Sequence, residues 1–75
     1  MTGQLMIRLA RSEGALVRLL GLAERRGFAP VRVLASPDGL DSQRVLLTVS
    51  GQRPLDKLTL QLSKLYDVLD VETMQ

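Results

Sequence analysis

Leu5, Ile7 and Leu9 alternate with Met6, Arg8 and Ala10, a period of two that predicts a strand. Arg11–Ser12–Glu13–Gly14 breaks the alternation, and Ser12 is placed to cap a following helix. Leu16, Leu19, Leu20 and Ala23 then recur at i, i+3, i+4 and i+7, one stripe of an α-helix. Arg25 and Arg26 fall in its last turn, where cations suit the macrodipole, and Gly27 is placed to end it. Val31, Val33 and Ala35 alternate again until Pro37–Asp38–Gly39, a turn in which proline presets φ and glycine permits positive φ. Val45, Leu47 and Val49 make a third strand, so residues 31–50 read as a hairpin. Pro54, after the break at Gly51–Gln52–Arg53, suits the first turn of a second helix with a stripe of Leu55, Leu58, Leu62 and Leu65. Leu69, Val71 and Thr73 alternate with Val68, Asp70 and Glu72 in a last strand.

The order β-α-β-β-α-β names an architecture. Right-handed crossovers in two βαβ halves place both helices on one face of a four-stranded antiparallel sheet, an α+β, ferredoxin-like fold. Strand 1 then lies between strands 3 and 4, and strands 2 and 4 form the edges. Residues 1–75 make a single domain. The open face of the sheet is less polar than water contact asks, with Met6, Ala10, Leu34, Leu46 and Thr48 opposite the core set. Leu60 also points away from the core, about 200° round the helix from Leu58. Singly exposed apolar residues are ordinary, but together these suggest a covered surface.

Composition narrows the chemistry. A chain of 75 residues buries only about 60% of its unfolded surface, so a metal, a disulfide or a partner is usually needed. There is no cysteine and no histidine, which removes disulfides, thiolate metal sites, cysteine nucleophiles, a Ser-His-Asp triad and a base poised near neutrality. Self-association or docking is the staple that remains, and the chain is not expected to be an enzyme on its own. Net charge is +2, divided as +4 over residues 1–36 and −2 over residues 37–75. No apolar run approaches the roughly 18 residues that span a bilayer. The start Met1–Thr2–Gly3–Gln4 lacks the charge of a signal peptide, so a cytoplasmic location away from membranes is expected.

Side chains that carry chemistry are few. Asp38 with Asp41, and Asp67 with Asp70 and Glu72, read as solvated acids or as charges that protect a strand edge. Base-stacking sheets need aromatics in their central strands. The chain has only Phe28 and Tyr66, both outside those strands, so nucleic acid is not an expected partner. Arg18, Arg25 and Arg26 read as a solvated helix face. The first loop holds no thiolate pair for metal carriage, and neither a metal nor any other cofactor is expected. The junction between the first strand and helix is the best site left. Gly14 lets a backbone or small ligand approach, and the first-turn amides suit a carboxylate; a plain turn residue is the other reading.

The stretch Arg11-Ser-Glu-Gly-Ala-Leu-Val-Arg-Leu-Leu-Gly-Leu-Ala-Glu-Arg-Arg-Gly-Phe28 resembles the first loop and helix of an ACT domain. It is most similar to the small regulatory subunits of acetolactate synthase (acetohydroxyacid synthase), at Gly14, Ala15, Leu16, Gly21, Leu22, Arg26, Gly27 and Phe28. Gln61-Leu-Ser-Lys-Leu-Tyr-Asp-Val-Leu-Asp-Val71 resembles the same family's Gln-Leu-x-Lys-Leu-x-Asp-Val-x-x-Val ending. The chain stops after the fourth strand, which is similar to the short type of enterobacterial isozyme II. The resemblance implies a non-catalytic subunit that activates a large catalytic partner using thiamine diphosphate, Mg²⁺ and FAD in branched-chain amino acid biosynthesis. None of those cofactors would be held by this chain. It also implies a homodimer through the edge of strand 2. An amino-acid effector would lie between Arg11, Ser12, Glu13, Gly14, Ala15 and Leu16 of one chain and Ala29, Pro30 and Val31 of the other.

Two positions depart from valine-responsive members, which commonly carry asparagine where this chain has Arg11 and Ala29. Arg11 can meet a carboxylate but accepts no hydrogen bond from an ammonium, and Ala29 does neither. A weak or absent valine response is therefore expected, or a pocket that Arg11 redirects to another carboxylate. The alternative to the whole reading is a free-standing ACT-domain amino-acid sensor with a different target.

Overall fold

The computed structural model describes residues 1–74. Six elements follow in order: β1 Thr2–Ala10, α1 Ala15–Arg25, β2 Ala29–Pro37, β3 Ser42–Ser50, α2 Leu55–Ser63 and β4 Val68–Met74. The strands form one antiparallel sheet in the order β2-β3-β1-β4. Leu5, Ile7 and Leu9 of β1 and Val45, Leu47 and Val49 of β3 pack in one core with Leu19, Leu22 and Ala23 of α1 and Leu58 and Leu62 of α2. Both helices thus cover the same face. This is the βαββαβ, ferredoxin-like arrangement, with β2 and β4 at the edges. No helix among the described residues is long and apolar enough to cross a membrane.

The end of α1 is the one its residues dictate, while the expected starts of both helices are corrected. Gly27 has φ 87°, its N–H donates to Glu24 O (3.0 Å), and the N–H of buried Phe28 donates to Ala23 O (2.9 Å). That pair of bonds is a Schellman closure, which asks for a glycine at the left-handed position. At the other end of α1 the cap is Gly14, at φ 77°, and Ser12 makes no side-chain cap. The Ser12 hydroxyl is drawn instead to a buried carboxylate, described below. In α2, Pro54 is the extended residue before the helix rather than a member of it, and Leu65 lies just beyond Ser63.

Strict alternation fails on both edge strands for the same reason. The β2–β3 register shifts between Pro30 and Arg32, so Pro30 faces Val49, Arg32 faces Thr48 and Val33 faces Leu47. Val31 is the unpaired extra residue of this bulge and is 62% exposed, not part of the core set with Val33. In β4 the shift falls between the partners of Arg8 and Leu9, Asp70 and Val68. Leu69 is skipped, 53% exposed, and Val68 joins Val71 against the core.

On the open face, β1, β3 and β2 line up Met6, Leu46 and Leu34 across the sheet, and Glu72 of β4 stands beside Met6. The rows on either side are polar. Gln4, Thr48 and Arg32 form one, and Arg8, Arg44 and Ser36 the other. Asp38 lies between Arg8 (3.2 Å) and Arg44 (3.7 Å). The apolar surface expected there narrows to the row of Met6, Leu46 and Leu34, with exposed Met74 beside Gln4.

Candidate functional site

The β1–α1 loop, the β2–β3 turn and the α2–β4 turn meet at one end of the sheet, where β1 and β2 finish and β3 begins. Asp67, in the last of these turns, is buried, with 1% of its surface exposed. A carboxylate in that position needs partners for both oxygens. The Ser12 hydroxyl donates to Oδ1 (2.6 Å) and Arg18 Nε donates to Oδ2 (2.7 Å). The Asp67 carbonyl meanwhile accepts from the Ala10 N–H (2.8 Å). Arg18 extends the network, donating from Nη2 to Glu13 O (2.8 Å), with its Cζ 5.2 Å from the centre of the Tyr66 ring. The hydrogen bonds from Arg18 and then Ser12 hold the Asp67 carboxyl below the usual carboxylate range, and the bond to Asp67 raises Arg18.

Asp67 is not the solvated acid expected, because the loop folds over it; Arg18, with 36% of its side chain exposed, remains partly solvated while it reaches Asp67. Arg25 and Arg26 do remain exposed. A signal for Asp67 was present. It is an acid set inside the apolar run Leu65–Tyr66–Asp67–Val68–Leu69, whereas a solvated acid has no need of such neighbours.

The loop itself is short and closed. Ala15 N–H donates to Ser12 O (3.1 Å) and Arg18 N–H to Gly14 O (2.9 Å). Ala15 is buried and Leu16 half-buried, while Arg11, Glu13 and Gly14 are exposed. Arg18 lies across Gly14: a Cβ built there would stand 2.8 Å from Arg18 Nη1. Arg11 donates its backbone N–H to Asp41 O (2.9 Å) and borders a depression of about 200 Å³ with Ala35, Ser36, Pro37 and Gln43. This hollow opens beside the end of β2, next to the sheet edge.

Ala29, Pro30 and Val31 lie at the opposite end of the same chain, because Ala29 pairs with Ser50 while Pro37 pairs with Gln43. The two groups of expected effector residues therefore do not meet within one chain. Antiparallel pairing of β2 with the β2 of a second copy would bring that copy's Ala29–Val31 beside Pro37 and the hollow at Arg11. Among the described residues no three of His, Cys, Asp and Glu gather to hold a metal ion.

Comparison with known proteins agrees with this architecture. The crystal structure of the ACT domain from GTP pyrophosphokinase of Chlorobium tepidum superposes with a TM-score of 0.81 at 14% identity, covering 99% of this chain and 97% of that one. The solution structure of that domain gives 0.73 at 17%, with coverage of 100% and 86%. The solution structure of the C-terminal domain of the MgtC protein from Mycobacterium tuberculosis gives 0.74 at 18%, with coverage of 97% and 84%. Identities this low speak for fold alone. No curated protein matches in sequence. The sequence model of the ACT domain, by contrast, matches residues 11–71, from the start of the β1–α1 loop to the middle of β4, and the chain belongs to the ACT-domain family.

Proposed function

We propose that this chain is a non-catalytic regulatory subunit that binds and activates the large catalytic subunit of acetolactate synthase. One observation carries the reading. The two stretches that resemble those small subunits, Arg11–Phe28 and Gln61–Val71, are far apart in sequence but joined in space by Asp67, which takes Ser12 and Arg18 from the first. The similarity therefore covers a connected structural unit rather than two unrelated helices. ACT domains are regulatory modules, which agrees with a chain that has neither histidine nor cysteine.

In this reading two copies pair through β2, and the effector lies between the Arg11–Leu16 loop of one copy and Ala29–Val31 of the other. Ser12 is committed to Asp67 and Arg18 covers Gly14, so Arg11 is the side chain of this loop left to meet a ligand carboxylate. Without side-chain acceptors at Arg11 and Ala29, an effector ammonium loses on the order of 1–3 kcal/mol per missing partner, about one to two factors of ten each. Valine inhibition is accordingly weak or absent.

The test is direct. Added to its large subunit loaded with thiamine diphosphate, Mg²⁺ and FAD, the chain should form a stable complex and raise kcat. Absence of a complex at micromolar concentration defeats the assignment. Calorimetric titration with valine should show no isotherm at or below about 0.1 mM. The second reading, an amino-acid sensor for another target, rests on the ACT domain alone. Co-purification of a different protein from the source cells would select it.

A further inference from the structure

The two edges of the sheet differ in charge, and the difference sorts what each can pair with. On β2 the one charged side chain is Arg32. On β4 the charged side chains are Asp70 and Glu72, both acidic. Beside β4 a groove of about 500 Å³ runs between that strand and α2. Asp56, Leu60 and Ser63 form one wall, Val68, Leu69 and Val71 the other with Asp70 at its rim, and no lysine or arginine lines it. Leu60 and Leu69 are 57% and 53% exposed, so apolar surface lies open between acids. The bulge in β4 is what turns Leu69 outward.

From this we infer that β4 and its groove receive an extended segment of the large partner subunit in which apolar and basic residues alternate. The inference rests on the regulatory-subunit reading for the owner of that segment, and on charge for its chemistry. An added strand would continue the sheet, since β4 is an edge with one side unpaired. Its side chains must then alternate between faces. Those on the helix side enter the groove against Leu60 and Leu69, which asks for apolar groups. Those on the open side fall beside Asp70 and Glu72, which face Arg8 and Met6 of β1 across the sheet, and this asks for lysine or arginine. A second copy paired through β4 would instead set Asp70 and Glu72 against their own counterparts, and like charges across strands repel. Self-pairing is thereby left to β2.

The experiment uses the full chain and two short capped peptides, one alternating valine with arginine and one alternating valine with glutamate, titrated by NMR. The arginine peptide should shift the amides of Val68–Met74 and of Leu60–Ser63 and bind at least about tenfold more tightly than the glutamate peptide. The double variant Asp70→Asn, Glu72→Gln should abolish that preference; both residues are exposed and the changes set no like charge against Arg8, so the fold is kept. The same variant should weaken binding to the large subunit by at least about tenfold while light scattering still shows the β2 pair. Equal binding of the two peptides, shifts confined to β2, or open oligomers of the chain that the variant dissolves would each overturn the inference. The arms also separate the two claims. A peptide site on β4 without large-subunit binding removes the named enzyme and keeps the surface. Undiminished large-subunit binding by the variant removes the surface and keeps the enzyme.

Discussion

The two ends of the sheet are held by different physics. At the end where β1 finishes, the structure is pinned by charge. Asp67 binds Ser12 and Arg18, Asp38 binds Arg8 and Arg44, and all three ion pairs among the described residues lie here. At the other end, where β2 starts, it is pinned by close packing. Buried Phe28 fills the gap beneath Gly51, whose missing Cβ would meet Phe28 Cδ2 at 2.8 Å and Gly27 O at 2.9 Å. The Gly51 N–H donates to Met1 O (2.9 Å), and Gly3 lies against Leu55 in the same way. Packing at van der Waals distance tolerates little rearrangement. An ion pair reaching the surface can exchange partners, and the proposed effector loop is at that end. The Phe28 end is scaffold, and the Asp67 end can respond.

The packed end should show the larger losses. Phe28→Ala should cost about 3–5 kcal/mol, most of the stability of a domain this small, and chemical denaturation should find the variant largely unfolded. Gly51→Ala should cost about 1–3 kcal/mol, because the carbonyl of Gly27 cannot move aside as a side chain can. A thermal midpoint unchanged in that variant would mean that the packed end has room for a methyl group. At the charged end, Gly14→Ala meets Arg18 Nη1, the guanidinium nitrogen that bonds neither Asp67 nor Glu13, so a small tilt relieves the contact and the left-handed backbone at φ 77° is the main penalty. About 1 kcal/mol, or a midpoint lower by about 5 °C, is expected.

Acid should distinguish the ends without any substitution. The Asp67 carboxyl lies below its ordinary value because Arg18 and then Ser12 bond its charged form. A depressed carboxylate contributes stability that is complete above its unfolded pKa of about 4 and is lost as pH falls through the folded value. Between neutrality and about pH 4 this contribution is constant; below, the loop end should loosen before the Phe28 end does. Probes at the two ends that melt together throughout the acid range would contradict the distinction.

The order of elements was legible because each one carries its own periodicity and its own terminator. Gly27 ends α1 for the reason its sequence suggested, and Leu58 with Leu62 marks the buried side of α2. What was not legible depends on cross-strand pairing or on distant partners. The extrusion of Val31 and Leu69 follows from register shifts that each strand read alone does not contain. Ser12 looks like a helix cap until Asp67, supplied by the far end of the chain, takes its hydroxyl. Arg18 reads as a solvated helix residue for the same reason. The expected effector residues were legible as two groups, but their relation needed the sheet, which sets them at opposite ends of one chain.

Amide hydrogen exchange on Asp67→Asn shows whether the ion pair holds the loop end alone. The amide side chain retains an acceptor for Ser12 but loses the charge that holds Arg18. Exchange at the Ala10, Ala15 and Arg18 amides, bonded to Asp67 O, Ser12 O and Gly14 O, should quicken severalfold, while Phe28 and the β3 amides Val45–Val49 keep the protection of the unaltered chain. Uniform quickening at both ends would show that Asp67 stabilises the fold as a whole, and no change at the loop would show that its ion pair holds nothing there.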